Sequence, residues 1–178
     1  PHPIGFEDLN SYEDVIDAIA RVLAIDPTVT ELMLKHNDGV SGEGNAVVDL
    51  DGVDGSDRPA IEQRVSQMPV SARPISVQEF LDELPNIGGI VEQRIVGDHL
   101  VSPSVQLRIT PLREVQVLST HDQLLGGPER QKYVGCIFPA DDAYASQLIE
   151  HAEKVGQRLA ELGVIGRFAI DFVCAKND

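Results

Sequence analysis

The sequence predicts an α+β protein of two small lobes. Three observations predict it: a strand–glycine loop–strand order across residues 31–50, short helical stretches with capping residues in the first half, and a strand-rich second half that carries one long amphipathic helix.

Residues 1–10 read as an extended lead-in. Asn10 or Ser11 can cap a helix, with Asp14 three residues after Ser11 forming a loose capping box. Val15, Ile16, Ile19, Val22 and Leu23 follow at helical spacing, and Asp26-Pro27 ends the pattern. Glu31–Lys35 and Asn45–Leu50 read as strands around a small-residue loop. The turn-rich connector Asp51–Pro59 superficially matches a calcium loop. An EF-hand needs an oxygen ligand where Val53 stands and helices on both sides, so a solvated loop is expected. Ile61–Val65 gives no clear element. Ser76 caps a helix through Leu84, with Glu79 at the capping-box position, and Pro85–Gly89 reads as a turn. Ile90–Val96 reads as a strand that stops at Gly97.

Beyond that point Ser104–Thr110 and Glu114–Ser119 alternate around Pro111-Leu112-Arg113, a hairpin pattern. Gly126-Gly127-Pro128 opens a long loop, and Tyr133–Phe138 is a strand closed by Pro139. Asp141–Leu162 is the longest helix, with Leu148, Ala152, Val155, Leu159 and Leu162 as its stripe and Gly163 as its stop. Phe168–Cys174 reads as a buried strand with one charge, Asp171. A boundary near Gly97–Val101 divides the chain into residues 1–97 and 98–178.

With 42% hydrophobic residues in 178, only 4% aromatic and no Trp, the core is expected to be Val, Ile, Leu and Ala. Fourteen basic against 29 acidic residues leave a net charge of −15, which argues against nucleic acid and anionic membranes as partners. Cys136 and Cys174 are far apart, so neither a disulfide framework nor a zinc site is expected. Both stand in apolar runs and read as buried free thiols, in keeping with a reducing, cytoplasmic compartment. No segment reaches the length of a membrane span and no leader pattern is present. Both ends look cut, so a fragment of a longer protein is expected. The oligomeric state stays open, a homodimer included.

The densest chemistry is Lys35 followed by Asn37-Asp38-Gly39-Val40-Ser41-Gly42-Glu43-Gly44-Asn45. Glycines let a backbone approach a ligand, successive N–H groups form an anion-binding concavity, and a lysine adds a point charge for phosphate oxygens. Two familiar phosphate motifs fail. A Walker A loop would need Gly-Lys-Ser/Thr where Gly44-Asn45-Ala46 stands, and a dinucleotide fingerprint would need a following helix where Ala46-Val47-Val48 reads as a strand. A glycine flap between two strands fits the order, and a plain hairpin turn remains open on these residues alone.

Three features in order then resemble a known family. They are Lys35 with the glycine loop, the strand Val91-Glu92-Gln93-Arg94-Ile95 followed by Gly97-Asp98, and Arg167-Phe168-Ala169-Ile170-Asp171-Phe172-Val173. Together they resemble the ATP-grasp superfamily, most closely its carboxylate–amine (peptide) ligases, over nearly the whole chain. The resemblance implies an ATP-grasp core fragment: residues 1–97 as the lid subdomain and 98–178 as part of the antiparallel-sheet nucleotide-binding subdomain. It implies ATP and Mg²⁺ as cofactors, with small-molecule or peptide carboxylates and amines as substrates. By the same resemblance Lys35 contacts the α/β-phosphates, and the amides of Ser41, Gly42 and Gly44 cap the β/γ-phosphates. Glu92 meets the adenine amino group, and the Gln93, Arg94 and Ile95 backbone forms the hinge. Asp98 reaches the ribose and Asp171 binds Mg²⁺. The family's second metal strand, bearing Glu-x-Asn, and its N-terminal domain are not in the chain.

Each residue also has a plainer role. Lys35 can simply extend from a strand end to water, and Glu92 can be an exposed member of an alternating strand. Asp171 resists that reading, since a carboxylate within so apolar a run is costly unless paired or metal-bound. His121-Asp122 reads as a solvated turn, with a place lining the site as the alternative. Arg94 and Arg108 read as surface ion-pairing residues, with neutralisation of phosphate or acyl-phosphate charge as the alternative, and His2, His36, His99 and His151 have no metal-ligand spacing. The implied function is ATP-dependent activation of a carboxylate as acyl phosphate for attack by an amine, with a non-catalytic nucleotide-binding or interaction module as the alternative.

Overall fold

The computed structural model describes residues 2–39, 44–71, 75–97, 99–126 and 132–175. It divides into two compact units, one of Pro1–Val96 with Gly127–Lys132, the other of Gly97–Gly126 with Tyr133–Asp178. Among the described residues no helix is long and apolar enough to cross a membrane.

The first unit is an antiparallel sheet of β1 (Gly5–Leu9), β2 (Glu31–His36), β3 (Asn45–Asp49) and β4 (Gly89–Gln93), in the order β1-β4-β2-β3. Helices α1 (Tyr12–Ile25), α2 (Arg58–Ser66) and α3 (Val77–Ile87) accompany it. Strand alternation sorts its residues. Leu32, Leu34, Ala46, Val48 and Val91 join Val15, Ile16, Ile19 and Phe80 in one buried core. Their neighbours Glu31, Met33, Lys35, Asn45, Val47, Ile90 and Glu92 therefore take the other face.

Caps set the helices. Ser11 Oγ accepts from Asp14 N at 3.1 Å, while Asp14 in turn accepts from Asn10 N at 2.9 Å. That backbone bond holds the Asp14 carboxyl below its ordinary value. Ser76 and Glu79 form a complete capping box on α3.

Three expectations change here. The lead-in is a strand: Gly5 pairs with Glu92 and Phe6 with Val91, and an irregularity between Phe6 and Leu9, with Asp8 at φ 62°, hides its alternation. Residues 58–66 form a helix, capped by Asp57, which accepts from Ala60 N at 3.1 Å. Helix α3 runs through Pro85 to Ile87 instead of turning after Leu84. Proline's fixed φ is a helical value, and Gly88 N donates to Leu84 O at 2.8 Å to close the last turn.

The second unit is a sheet of β7 (Lys132–Ile137), β6 (Val115–Gly126), β5 (Leu100–Ile109) and β8 (Gly166–Asp171) in that order, with β9 (Cys174–Ala175) also on β5. Helix α4 (Asp142–Glu161) covers one face through Leu148 and Ala152, which pack with Val105, Leu107, Val117, Phe168 and Ile170. The buried row on α4 is Leu148, Ala152, Gly156 and Ala160, whereas Val155 and Leu162, expected in the stripe, are exposed. Gly156 explains the rotation: a Cβ there would lie 2.8 Å from Val115 Cγ1, so the missing side chain lets the helix sit directly on the sheet. Gly156→Ala is expected to cost about 1–3 kcal/mol through overpacking, read as a fall in the chemical-denaturation midpoint. An unchanged midpoint would mean that the helix is free to ride outward.

Strand β5 begins at Leu100, and β6 continues through His121-Asp122 to Gly126, so that pair is not a turn. The register shifts between Gln106 and Leu107, where Leu118 is the extra residue on β6, and this breaks the alternation in sequence. Asp122 accepts from Tyr144 Oη at 2.7 Å and from Asp141 N at 3.1 Å, tying β6 to the start of α4. Burial, and then the bond to Asp122, push the Tyr144 hydroxyl above its ordinary value.

Strand β8 is not a buried strand. Among the described residues it pairs with β5 alone, and although Phe168 and Ile170 are half-buried, Arg167, Ala169 and Asp171 are exposed. Cys136 is an exposed free thiol because β7 is the opposite edge strand, and Cys174 is half-buried. Burial raises the Cys174 thiol above its ordinary value.

Candidate functional site

In the first unit, Lys35 and Glu92 meet on the sheet face opposite the core. The register sets Met33 beside Glu92 and Lys35 beside Ile90, so the two charged residues stand diagonally across β2 and β4. Their side chains form an ion pair, and both are about one-third exposed, at 34% and 29%. Arg94, just past the end of β4, continues the row by donating to Glu31 at 2.7 Å. Met33 and Val47 are buried on this face and belong to neither hydrophobic core cluster. They give it an apolar floor between polar groups, which the residue types alone did not announce.

The root of the glycine loop adjoins Lys35. His36 N donates to Gly44 O at 2.8 Å, and Gly39 N to His36 O at 3.3 Å. His36 itself is buried, stacks on Phe80 with ring centroids 3.8 Å apart, and donates from Nε2 to Phe80 O at 2.9 Å. A residue with no metal-ligand spacing thus anchors the strand end that carries Lys35. Gly44 adopts φ 81°, and a Cβ there would come within 3.2 Å of Gly39 Cα and His36 Cβ. Gly44→Ala is expected to cost about 1–2 kcal/mol from the left-handed backbone alone. Denaturation would measure it, and an unaltered stability would show that the loop root relaxes freely. Ser41, Gly42 and Asp98 lie outside the described residues.

The hinge residues are partly engaged. Gln93 N donates to Ile4 O at 2.7 Å and Arg94 N to Glu31 O at 3.0 Å. A ligand at this strand end would therefore use their carbonyls or the Ile95 backbone. Glu92 Oε1 is the atom paired with Lys35, leaving Oε2 as an acceptor.

In the second unit, Asp171 lies on the sheet face opposite α4. The register aligns Asp171 with Ser104 and Ser104 with His121, a row across β8, β5 and β6. The same face carries Gln106, whose Nε2 donates to Ser104 Oγ at 3.0 Å, and Arg108, whose Nε donates to Gln116 at 3.1 Å. Asp171 makes no hydrogen bond or ion pair among the described residues. Its position corrects the reason for singling it out: it sits on a polar face, not inside an apolar layer. Among the described residues no group of three or more His, Cys, Asp or Glu could hold a metal ion. A single exposed carboxylate still suits Mg²⁺, which takes one or two carboxylates together with phosphates and water.

The chain matches the family model described as IQCH-like, ATP-grasp over residues 59–178. It is 30% identical over 171 residues to the L-propargylglycine–L-glutamate ligase of Streptantibioticus cattleyicolor, covering 95% of this chain and 33% of the ligase. It is 24% identical to IQ motif-containing protein H of Danio rerio, covering 96% of this chain and 19% of that protein. The chain thus spans a third or less of these relatives. Among solved structures, it superposes on the biotin carboxylase domain of the Hydrogenobacter thermophilus 2-oxoglutarate carboxylase with a TM-score of 0.68 at 13% identity, covering 99% of this chain and 34% of that one. It superposes on the D-alanyl-alanine synthetase A of Vibrio cholerae with a TM-score of 0.57 at 12% identity, covering 99% of this chain and 47% of that one. With the match to residues 59–178 and the antiparallel α+β fold in hand, the chain belongs to the ATP-grasp family, in its IQCH-like group.

Proposed function

We propose that this chain is the ATP-binding core of an ATP-dependent carboxylate–amine ligase. The observation that carries the reading is the Lys35–Glu92 pair on the polar face beside the root of the glycine loop. A cation, a hydrogen-bond acceptor and a close-approaching backbone stand together, the kinds of group that a nucleotide needs. The ligase relative supports the ligation chemistry by name: it joins two amino acids, one of them glutamate.

Each residue has a part. Lys35 neutralises phosphate charge, and the Gly44 amide, with Ser41 and Gly42 by sequence, completes the donor loop over the phosphates. Glu92 Oε2 accepts from the adenine amino group, the Gln93–Ile95 segment borders the base, and Met33 and Val47 supply an apolar floor. Asp98 is the candidate for the ribose. Asp171 holds Mg²⁺, which when bound draws charge off the phosphate oxygens. The carboxylate substrate takes the γ-phosphoryl group and becomes an acyl phosphate, which the amine then converts to an amide. The chain's own contribution is positioning and charge neutralisation.

The test is ATP protection followed by turnover. The intact protein should be stabilised by ATP with Mg²⁺, by about 2.7 kcal/mol at a hundredfold excess over Kd. It should release ADP only when both a carboxylate and an amine are supplied. A second reading follows from β8 itself carrying one carboxylate, Asp171. Protection without turnover favours a non-catalytic nucleotide-binding module, and absence of protection sinks both readings.

A further inference from the structure

We infer that His121 is the base that deprotonates the incoming amine, an inference that rests on the ligase reading above. An amine reaches a ligase at neutral pH largely as ammonium, which has no lone pair for attack. Some group must take that proton, and imidazole is the side chain whose ordinary titration lies between about pH 5 and 8. Along β5, β6 and β8 the ionisable groups on the polar face, among the described residues, are His121, Asp171, Arg108 and Arg167. Guanidinium cannot accept a proton, and Asp171 is assigned to the metal. On these three strands His121 is the group left.

Its placement suits the task. His121 and Asp171 flank Ser104 in a single row, so their backbones are two strand spacings apart, about 10 Å. Ser104 itself is buried, so a phosphate held from the Asp171 side and an amine approaching from the His121 side would meet between those two side chains. His121 is half-buried and makes no hydrogen bond or ion pair among the described residues, so its ring is not committed to holding the fold. Its neighbour Asp122 points to the opposite face, where Tyr144 and the start of α4 engage it. The alternation of β6 therefore separates a structural carboxylate from a chemically available imidazole.

The step balances without another reactant. One ammonium proton passes to the His121 imidazole, and the freed nitrogen pair forms the C–N bond to the acyl carbon. The carbon–oxygen bond to the phosphate breaks with its electron pair leaving on phosphate, which carries off the second nitrogen proton.

Hydroxylamine separates this role from others, because it is already unprotonated at neutral pH and needs no base. The intact protein and its His121→Gln variant would be given ATP, Mg²⁺ and L-glutamate, with either hydroxylamine or L-propargylglycine as the nucleophile. The variant should keep hydroxamate formation within about twofold and lose about 100-fold in ligation of the amino acid, the lower end for removal of a general base. Equal loss with both nucleophiles, or no loss with either, overturns the base role. A wild-type protein that forms no hydroxamate from ATP and glutamate overturns the ligase reading for this carboxylate, and the base role with it, a result that the variant alone cannot mimic.

Discussion

Replacing Asp171 by Asn should lower Mg²⁺-dependent turnover of the intact protein by about 10²- to 10³-fold, the usual penalty for removing one preorganised electrostatic contact to a developing charge. The fold should survive. Asp171 sits on the edge strand β8, exposed, with no side-chain partner among the described residues. Such a surface position changes stability by no more than about 0.5 kcal/mol. The neutral amide keeps the shape and one oxygen donor but loses the charge that a hard dication requires. Steady-state kinetics across a Mg²⁺ titration, alongside a denaturation curve, would test this. Wild-type turnover at every Mg²⁺ concentration would remove Asp171 from the metal site. A collapse of stability would mean that the carboxylate supports the sheet instead.

That prediction stands on register as much as on residue type, and register is what the sequence conveyed least. The starts of α1 and α3 were legible because capping is local: Ser76 with Glu79, and Ser11 with Asp14, lie within one turn of each other. Gly44 was legible as a loop position, and Lys35 and Glu92 were each legible as charged residues on apolar strands. Their pairing was not, because it depends on β2 meeting β4 across 57 residues of sequence. Asp171 was expected in a buried layer because Ile170 and Phe172 flank it in an apolar run, whereas it is that run's alternate residues, Phe168 and Ile170 among them, that pack towards α4. His121 was read as a turn residue because the extra residue at Leu118 shifts the phase of β6 by one, erasing the period that would have marked its face. Pro85 misled in the same way: its local signal is a stop, yet the last turn of α3 closes around it. Local chemistry was readable, while the pairings that bring it together were set by long-range strand order.

Lys35→Ala carries the other large expectation: ATP affinity should fall by about 10- to 100-fold, corresponding to the loss of a charge-assisted hydrogen bond of roughly 1.5–3 kcal/mol. Stability should scarcely change, because the Lys35–Glu92 pair is about one-third exposed on each side and such pairs contribute about 0–1 kcal/mol. Those two magnitudes decide what happens on binding. A polyphosphate offers Lys35 more than Glu92 does, so the ammonium is expected to turn from the carboxylate to the nucleotide, releasing Glu92 for the adenine amino group. Glu92→Gln separates the two parts. Its amide oxygen can still accept from adenine, while Lys35 no longer has to leave a partner, so ATP should bind at least as tightly as to the wild type. Removing both groups in Lys35→Ala/Glu92→Gln should restore none of the affinity lost with the lysine. Titration calorimetry with ATP would measure all three variants. If Lys35→Ala binds ATP like the wild type, the lysine is only a surface ion pair and the phosphate site lies elsewhere. If Glu92→Gln weakens binding as much as Lys35→Ala does, the pair acts as a fixed unit and the exchange of partners does not occur.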